Sequence, residues 1–146
     1  MNSKIELKPT STIKVKLGIQ VGGPVQKFFC NECWRFMGPF VPGGVEGDIN
    51  KSATMQLDGS GIFYNHPGSH YEWFGKVMGP NIPIEKEGSF VTKWVSPKRK
   101  PKKYTGKDMK YKVPGTCSHW DSRMWSSKKD EILQEVQDYV NKGCKK

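Results

Sequence analysis

The stretch GSGIFYNHPGSHYEWFGKVM, residues Gly59–Met78, places five aromatic side chains and two histidines between glycine-containing turns. One interpretation is a reactive pocket in which His66 and His70 act as metal ligands or bases. The other is a strand that leads into a short aromatic helix and anchors a small α+β core. The second is favoured because Glu72 is the only carboxylate in the stretch, whereas acid–base chemistry needs a partner group. The five aromatic residues are Phe63, Tyr64, Tyr71, Trp73 and Phe74.

The residues on either side predict a hairpin and a helix end. Ser52–Leu57 alternates polar and apolar side chains, which indicates a strand. Asp58–Gly59 favours a tight turn because both residues tolerate positive φ, and Ile62–Tyr64 would return as the partner strand. We expect Ser69 to cap the aromatic helix and Gly75 to end it. One face of the first strand would carry Ala53, Met55 and Leu57, and the other face Ser52, Thr54 and Gln56.

Towards the N-terminus the patterns predict one more strand and a helix. Thr12–Leu17 alternates in the manner of a half-buried strand, which Gly22–Gly23 interrupts. Pro24 suits the first turn of a helix, and Gly38–Pro39 would stop it. The predicted helix has an apolar face formed by Phe28, Phe29, Cys33, Phe36 and Met37.

Towards the C-terminus we expect loops, a strand and a long helix. Residues 40–48 and 79–88 are rich in glycine and proline and predict loops, whereas Phe90–Val95 predicts a strand. Ser127–Asp130 has the spacing of a capping box, and Gly143 can end the helix that follows. Its apolar stripe consists of Ile132, Leu133, Val136, Tyr139 and Val140.

Together these elements predict a single α+β domain over residues 1–146. We expect an antiparallel β-sheet packed against an N-terminal aromatic helix and a C-terminal amphipathic helix. With 35% apolar and 12% aromatic residues, the core would be thin, and the chain would bury further surface against neighbours. No apolar run reaches the roughly 18 residues of a membrane span, so we predict none. The candidate core or interface aromatics are Tyr64, Tyr71, Trp73, Phe74 and Trp120.

The charge is concentrated in one segment. The formal net charge is +10, from 24 basic and 14 acidic residues. The segment from Pro97 to Lys112 contains eight basic residues and only one acidic residue, Asp108. We call residues 96–113 the basic arm and predict an extended hairpin or a flexible arm that binds a polyanion or an acidic partner. A merely solvated face is the alternative interpretation. The cations are Lys98, Arg99, Lys100, Lys102, Lys103, Lys107, Lys110 and Lys112.

The cysteines predict free thiols. Cys30 and Cys33 have the spacing of a zinc pair, and Cys117 with His119 could complete four ligands. The first pair lies inside a predicted helix, without the tight turn of a metal knuckle. We therefore predict no metal site at this pair. We also predict no catalytic residues and no cofactor.

Beyond these local patterns, the chain resembles the minor capsid proteins of tailed bacteriophages of Gram-positive hosts, a group of head–tail connector or neck proteins. The resemblance rests on the segment Gly47–Ser52, the Asp-Gly hairpin, the stretch Tyr71–Met78, and Gly115–Trp120 followed by the amphipathic helix. The family has Leu where this chain has Ile49, and the cysteine pair is not a feature of the family.

The resemblance implies a non-catalytic virion protein. Copies would form a six- or twelvefold ring at the head–tail junction, between head-completion proteins and tail-terminator or tail-tube proteins. Phage DNA would pass through the ring with weak, non-specific contact, and the chain would be made in the host cytoplasm without contact with a membrane.

Two other functions compete with this one. The first is a nucleic-acid-binding module that uses the basic arm, with Tyr104 and Tyr111 as stacking residues. The second is a metal-dependent hydrolase that uses His66, His70 and Glu72.

Overall fold

The computed structural model describes residues 11, 14–15, 17–44, 47–84 and 93–143. Helices and antiparallel strand pairs alternate along these ranges, which confirms the α+β class. The main helices are α1 (Pro24–Met37), α2 (Asp48–Lys51), α3 (Ser69–Phe74) and α4 (Trp120–Asn141), with a 3-10 turn at Gly38–Phe40. The strands are β1 (Ala53–Met55), β2 (Ile62–Tyr64), β3 (Lys76–Gly79), β4 (Ile82–Ile84), β5 (Lys93–Val95) and β6 (Lys103–Asp108).

Helix α1 begins and ends at residues that the sequence marks. Pro24 lies in the first turn, where the N–H that proline lacks would have no partner within the helix. The helix ends at Met37, and Gly38 and Pro39 begin the 3-10 turn that follows. The bond from the Val41 N–H to the Gly38 carbonyl closes this turn (3.3 Å).

The predicted C-terminal helix is confirmed, but its start is eight residues earlier than the capping box suggests. α4 has 22 residues and begins at Trp120, after His119 in a left-handed conformation (φ 47°). Ser127 is therefore inside the helix, where its hydroxyl donates to the Arg123 carbonyl (2.9 Å). A serine within a helix can satisfy its hydroxyl on the preceding turn, so it does not have to cap.

The core lies where α1 meets α4. Its buried residues come from both helices and from the segment between them, and Val41 and Ile132 are completely buried. At the distal end of the helix pair the rings of Phe28 and Tyr139 stack, with centroids 4.2 Å apart. The buried cluster consists of Met37, Val41, Ile49, Trp120, Met124 and Ile132.

One arginine links the two helices. The Arg35 guanidinium donates to the carboxylate of Glu32 on its own helix and to that of Glu135 on α4. Both donor–acceptor distances are 2.7 Å. Glu32 is almost fully buried (5% exposed), and a carboxylate removed from water needs such a partner.

The hairpin predicted at Asp58–Gly59 is confirmed. β1 and β2 pair antiparallel, with Thr54 opposite Phe63. Gly59 has a φ of +69°, and a Cβ there would lie 2.8 Å from the Lys27 Cα, so both conformation and space require glycine. The strand predicted over Ser52–Leu57 ends at Met55, so Leu57 lies in the turn instead of on a strand face and is 94% exposed.

The other four strands form a long, narrow hairpin that we call the ribbon. β3 pairs with β6, with Gly79 opposite Lys103, and further out β4 pairs with β5, with Ile82 opposite Val95. Both pairings are antiparallel, so the chain runs outwards through β3 and β4 and returns through β5 and β6. Within the described ranges the strands therefore form three two-stranded pairs rather than one sheet.

Two local predictions differ from the structure. Residues 82–84 form a strand instead of a loop, because β5 offers a partner for their backbone groups. Lys14 and Val15 are helical rather than extended, and their carbonyls accept bonds from the N–H groups of Ile19 and Gly18. The remainder of that predicted strand, residues 12, 13 and 16, lies outside the described residues, as do residues 85–92 of the predicted loop and strand.

No helix in the described part of the chain has both the length and the apolar character that would let it cross a membrane.

Candidate interaction surface

The cations of the basic arm lie on the returning side of the ribbon and in the segments next to it. Lys102 is half-buried, and the other seven are exposed. The side chain of Asp108, the one acid among them, forms an ion pair with Lys76 of β3. None of the eight cations forms an ion pair with a carboxylate among the residues that the structure describes, so their charge is available to a partner.

The ribbon has an unequal gap between its two strand pairs. On the outgoing side only Pro80 and Asn81 separate β3 from β4, whereas seven residues, 96–102, separate β5 from β6. The side chain of Lys102 bonds to the Asn81 amide oxygen, and the Asn81 amide donates to the Met78 carbonyl (3.2 Å). These contacts hold the longer segment against the shorter one.

An open cavity of about 460 Å³ lies beside this gap. Gly79 contributes no side chain there, so the cavity extends to the backbone of β3. Its other walls are two prolines, two lysines, the Tyr104 ring and Thr105. The lining residues are Gly79, Pro80, Lys100, Pro101, Lys103, Tyr104 and Thr105.

Three rings meet where the ribbon joins α3. The centroids of His70 and Phe74 are 4.7 Å apart, those of Phe74 and Tyr104 are 5.4 Å apart, and those of His70 and Tyr104 are 6.5 Å apart. All three residues are exposed. The sequence analysis assigned Tyr104 and Phe74 to different features, and no local pattern signals that residues thirty positions apart come into contact.

The returning strand is fixed to the body by specific hydrogen bonds. The Met109 N–H donates to the Gly75 carbonyl (2.9 Å), and the Tyr111 hydroxyl donates to the Glu72 carbonyl (2.6 Å). Burial, with a smaller contribution from the Glu72 carboxylate, raises the pKa of Tyr111. Tyr111 is half-buried and its hydroxyl is hydrogen-bonded to the Glu72 carbonyl. Of the two predicted stacking residues, only Tyr104 is exposed.

The two histidines of the aromatic stretch contact residues that are close to them in the sequence. His66 Nδ1 accepts a bond from the Gly68 N–H (3.0 Å), while His70 contacts the Phe74 ring. Burial raises the pKa of the Glu72 carboxyl, and the charge of His66 opposes this shift. Ser69 does not cap α3 as predicted, since its hydroxyl donates back to the His66 carbonyl (2.7 Å).

The three cysteines in the described part of the chain are free thiols in protected positions. Cys30 is buried, Cys33 and Cys117 are half-buried, and burial raises the pKa of each, that of Cys33 to about 11. A raised pKa keeps a thiol protonated and slow to react. His119 contacts the Trp73 ring instead, with centroids 4.3 Å apart. In the described ranges no three His, Cys, Asp or Glu side chains form a group that could hold a metal ion.

The candidate core or interface aromatics divide into two groups. Trp120 is buried, and Tyr64 and Trp73 pack against the core cluster. Burial raises the pKa of Tyr64 to about 12. Tyr71 and Phe74 are 41% and 39% exposed, so part of each ring is open to contact with a partner.

A second open groove, of about 430 Å³, lies between β2, α3 and the start of α4. Trp73 and Trp120 line it together with Phe63, which is 57% exposed. The Trp73 indole N–H donates to the Asp121 carboxylate at the edge of this groove (2.8 Å).

Neither a protein-family model, nor a curated protein, nor a solved structure matches this chain.

Proposed function

We propose that this chain is a non-catalytic structural protein of the head–tail connector, or neck, of a tailed bacteriophage. Copies would assemble into a six- or twelvefold ring around the DNA channel. The ring would join head-completion proteins on the portal side to tail-terminator or tail-tube proteins. The chain would then be located in the virion after synthesis in the host cytoplasm. The resemblance of its motifs, in their order along the chain, supports this class of protein.

The observation that carries the proposal is the apolar surface that a single copy leaves exposed. Among the described residues, nine apolar residues are buried, whereas fourteen large apolar side chains are exposed. Val21 and Leu57 are 82% and 94% exposed, and they lie on neighbouring segments, since the Gln26 amide donates to the Gly59 carbonyl (3.3 Å). Exposed apolar surface of this kind is typical of a protein–protein interface. A closed ring would bury it through the same contact in every copy.

The basic arm supports a position next to DNA or an acidic neighbour. Its eight cations lie on the returning side of the ribbon and in the segments next to it, and they have no acidic partners within the described residues. In a channel that DNA must traverse, contact through such lysines would be weak, non-specific and sensitive to salt. We also propose the packing that the sequence predicts, in which α1 and α4 cover the strands of each copy.

The direct test is co-expression of the tagged chain with the products of its flanking genes. Complexes are isolated through the tag, imaged by negative-stain electron microscopy and weighed by native mass spectrometry. We expect closed rings of six or twelve copies, alone or stacked on a neighbouring ring. The control is a chain with Leu57→Lys and Val21→Lys, which should fold normally and fail to form rings because both positions are exposed.

A chain that remains monomeric with all flanking products would contradict the proposal. So would catalytic turnover that depends on Glu72, since a structural ring component requires no such residue.

A further inference from the structure

The cavity beside the gap in the ribbon has the chemical character of a nucleotide site. Lys100 and Lys103 contribute two cations to its walls, and Tyr104 contributes an aromatic ring that is 45% exposed. Its volume of about 460 Å³ is within the range of roughly 300–1,000 Å³ that small-ligand sites occupy.

The Tyr104 ring is held in place independently of any ligand. Tyr104 rests against Phe74 of α3, with centroids 5.4 Å apart, and its strand neighbour Thr105 donates to the Val77 carbonyl (2.8 Å). The bond between the Lys102 side chain and the Asn81 amide oxygen fixes the chain between Lys100 and Lys103, the two lysines that line the cavity. A preorganised site loses less conformational entropy when a ligand binds.

The geometry points to a binding site for single-stranded nucleic acid, in which one base stacks on Tyr104 and the adjoining phosphates contact Lys100 and Lys103. Sites of this class combine a basic track for the backbone with aromatic rings for the bases. Lys98 and Arg99, exposed in the same seven-residue segment as Lys100, add two cations to the chain that leads to the cavity.

The aromatic wall is what favours a single strand over a duplex. Lysines alone bind the phosphates of either form. A base can stack on Tyr104 only when it is unstacked from its neighbours, which costs a duplex a few kcal/mol per base. An acidic protein would satisfy the cations but would not use the exposed ring beside them.

The test compares fluorescence anisotropy titrations of the full-length chain with two labelled probes. One is an oligothymidylate longer than the roughly 4–16 nucleotides that a single-strand site covers, and the other is a duplex of the same length. We expect the single strand to bind more tightly than the duplex. Tyr104→Leu should weaken single-strand binding about tenfold, the typical loss when one base–aromatic stack is removed. Duplex binding should not change.

Three variants make the result specific. Tyr104→Phe keeps the ring and should bind as the wild type does. Tyr71→Leu removes an exposed ring outside the cavity and should leave binding unchanged. The double variant Lys100→Gln with Lys103→Gln should weaken the binding of both probes and reduce the salt dependence. Both lysines are exposed, so this variant tests the site even if Tyr104→Leu does not fold, which circular dichroism would reveal.

Equal single-strand affinity of Tyr104→Leu and the wild type would overturn the inference, as would equal affinity of the wild type for both probes. Absence of binding to either probe would also overturn it and would leave an acidic protein surface as the partner of the cations. The inference does not depend on the proposed ring. A Tyr104→Leu chain that loses single-strand binding but still forms rings supports both conclusions, and ring failure with intact binding would contradict only the connector proposal.

Discussion

Between α1 and α4 the chain buries Met124 and Ile132 to 3% and 0% exposure, whereas none of the described side chains of β3 and β6 is buried. The helical body is therefore held by apolar packing, and the base of the ribbon is held by strand pairing and a few hydrogen bonds. Substitutions in the body should change the free energy of unfolding of the whole chain. Substitutions in the ribbon should change local opening and binding.

The largest effect should come from the centre of the body. Ile132→Ala leaves a cavity in the completely buried core, and we expect a loss of about 3 kcal/mol in the free energy of unfolding. Urea denaturation followed by circular dichroism measures this loss. The matched control is Leu133→Ala, the next residue of α4, which is 44% exposed and should cost well under half as much. Equal losses would mean that the two helices do not form the core described here.

A smaller effect should arise at Gly75, where the body meets the ribbon. Gly75 has a φ of +67°, and an added Cβ would lie 2.6 Å from the Ser118 Cβ. We expect Gly75→Ala to lower the melting temperature, at a cost of about 2 kcal/mol from backbone strain and collision together.

The control for this substitution is Gly143→Ala. Gly143 has a similar φ of +73° but no atom within 4 Å of the added Cβ, so it reports the conformational cost alone. If both variants lose the same stability, the close contact between Gly75 and Ser118 is not present in solution.

A local effect is expected within the ribbon. Thr105→Val removes the hydroxyl that donates to the Val77 carbonyl, at an irregular point of the β3–β6 ladder. Loss of one hydrogen bond costs about 1 kcal/mol. We expect faster hydrogen exchange in β3 and β6 and little change in the melting temperature, whereas Thr105→Ser should keep the wild-type exchange. A large fall in global stability would show that ribbon and body unfold together.

The last effect is zero at neutral pH and appears only in alkaline solution, and it concerns the half-buried thiol of Cys33 and phenol of Tyr64. Burial raises the pKa of the Cys33 thiol from 9.0 to about 11. It also raises the pKa of the Tyr64 hydroxyl from 10.0 to about 12. Because the folded state holds these protons more tightly, its stability should be intact below pH 9 and should fall as the pH rises towards about 12. Denaturation at a series of alkaline pH values tests the sign. Cys33→Ala should make the fall shallower, and a stability that rises with alkaline pH would contradict the burial of both groups.

The features predicted correctly from the sequence depend on local signals. Asp58–Gly59 carries the turn conformation in its own residues, and the apolar stripe that includes Ile132 identifies α4 over several turns. The start of α4 at Trp120 was missed because the Ser127 motif is equally compatible with a helix interior.

Features that depend on distant residues could not be predicted. Lys76 pairs with Asp108, 32 residues later, and nothing in either segment specifies the other. For the same reason the contact between Phe74 and Tyr104, and the cavity beside it, were not foreseen. The exposure of the basic arm could be predicted from composition alone, because a segment with an excess of like charge is exposed regardless of its position in the fold.

The unequal gap between the two strand pairs of the ribbon bears on how this chain can vary in length. The entropy cost of closing a loop grows slowly with its length, so extra residues near Lys98 and Arg99 would scarcely disturb the pairing on either side. Relatives could therefore gain or lose residues there and retain the register of both ladders. The same position would accept an inserted epitope, which makes it a practical handle for locating each copy in an electron micrograph.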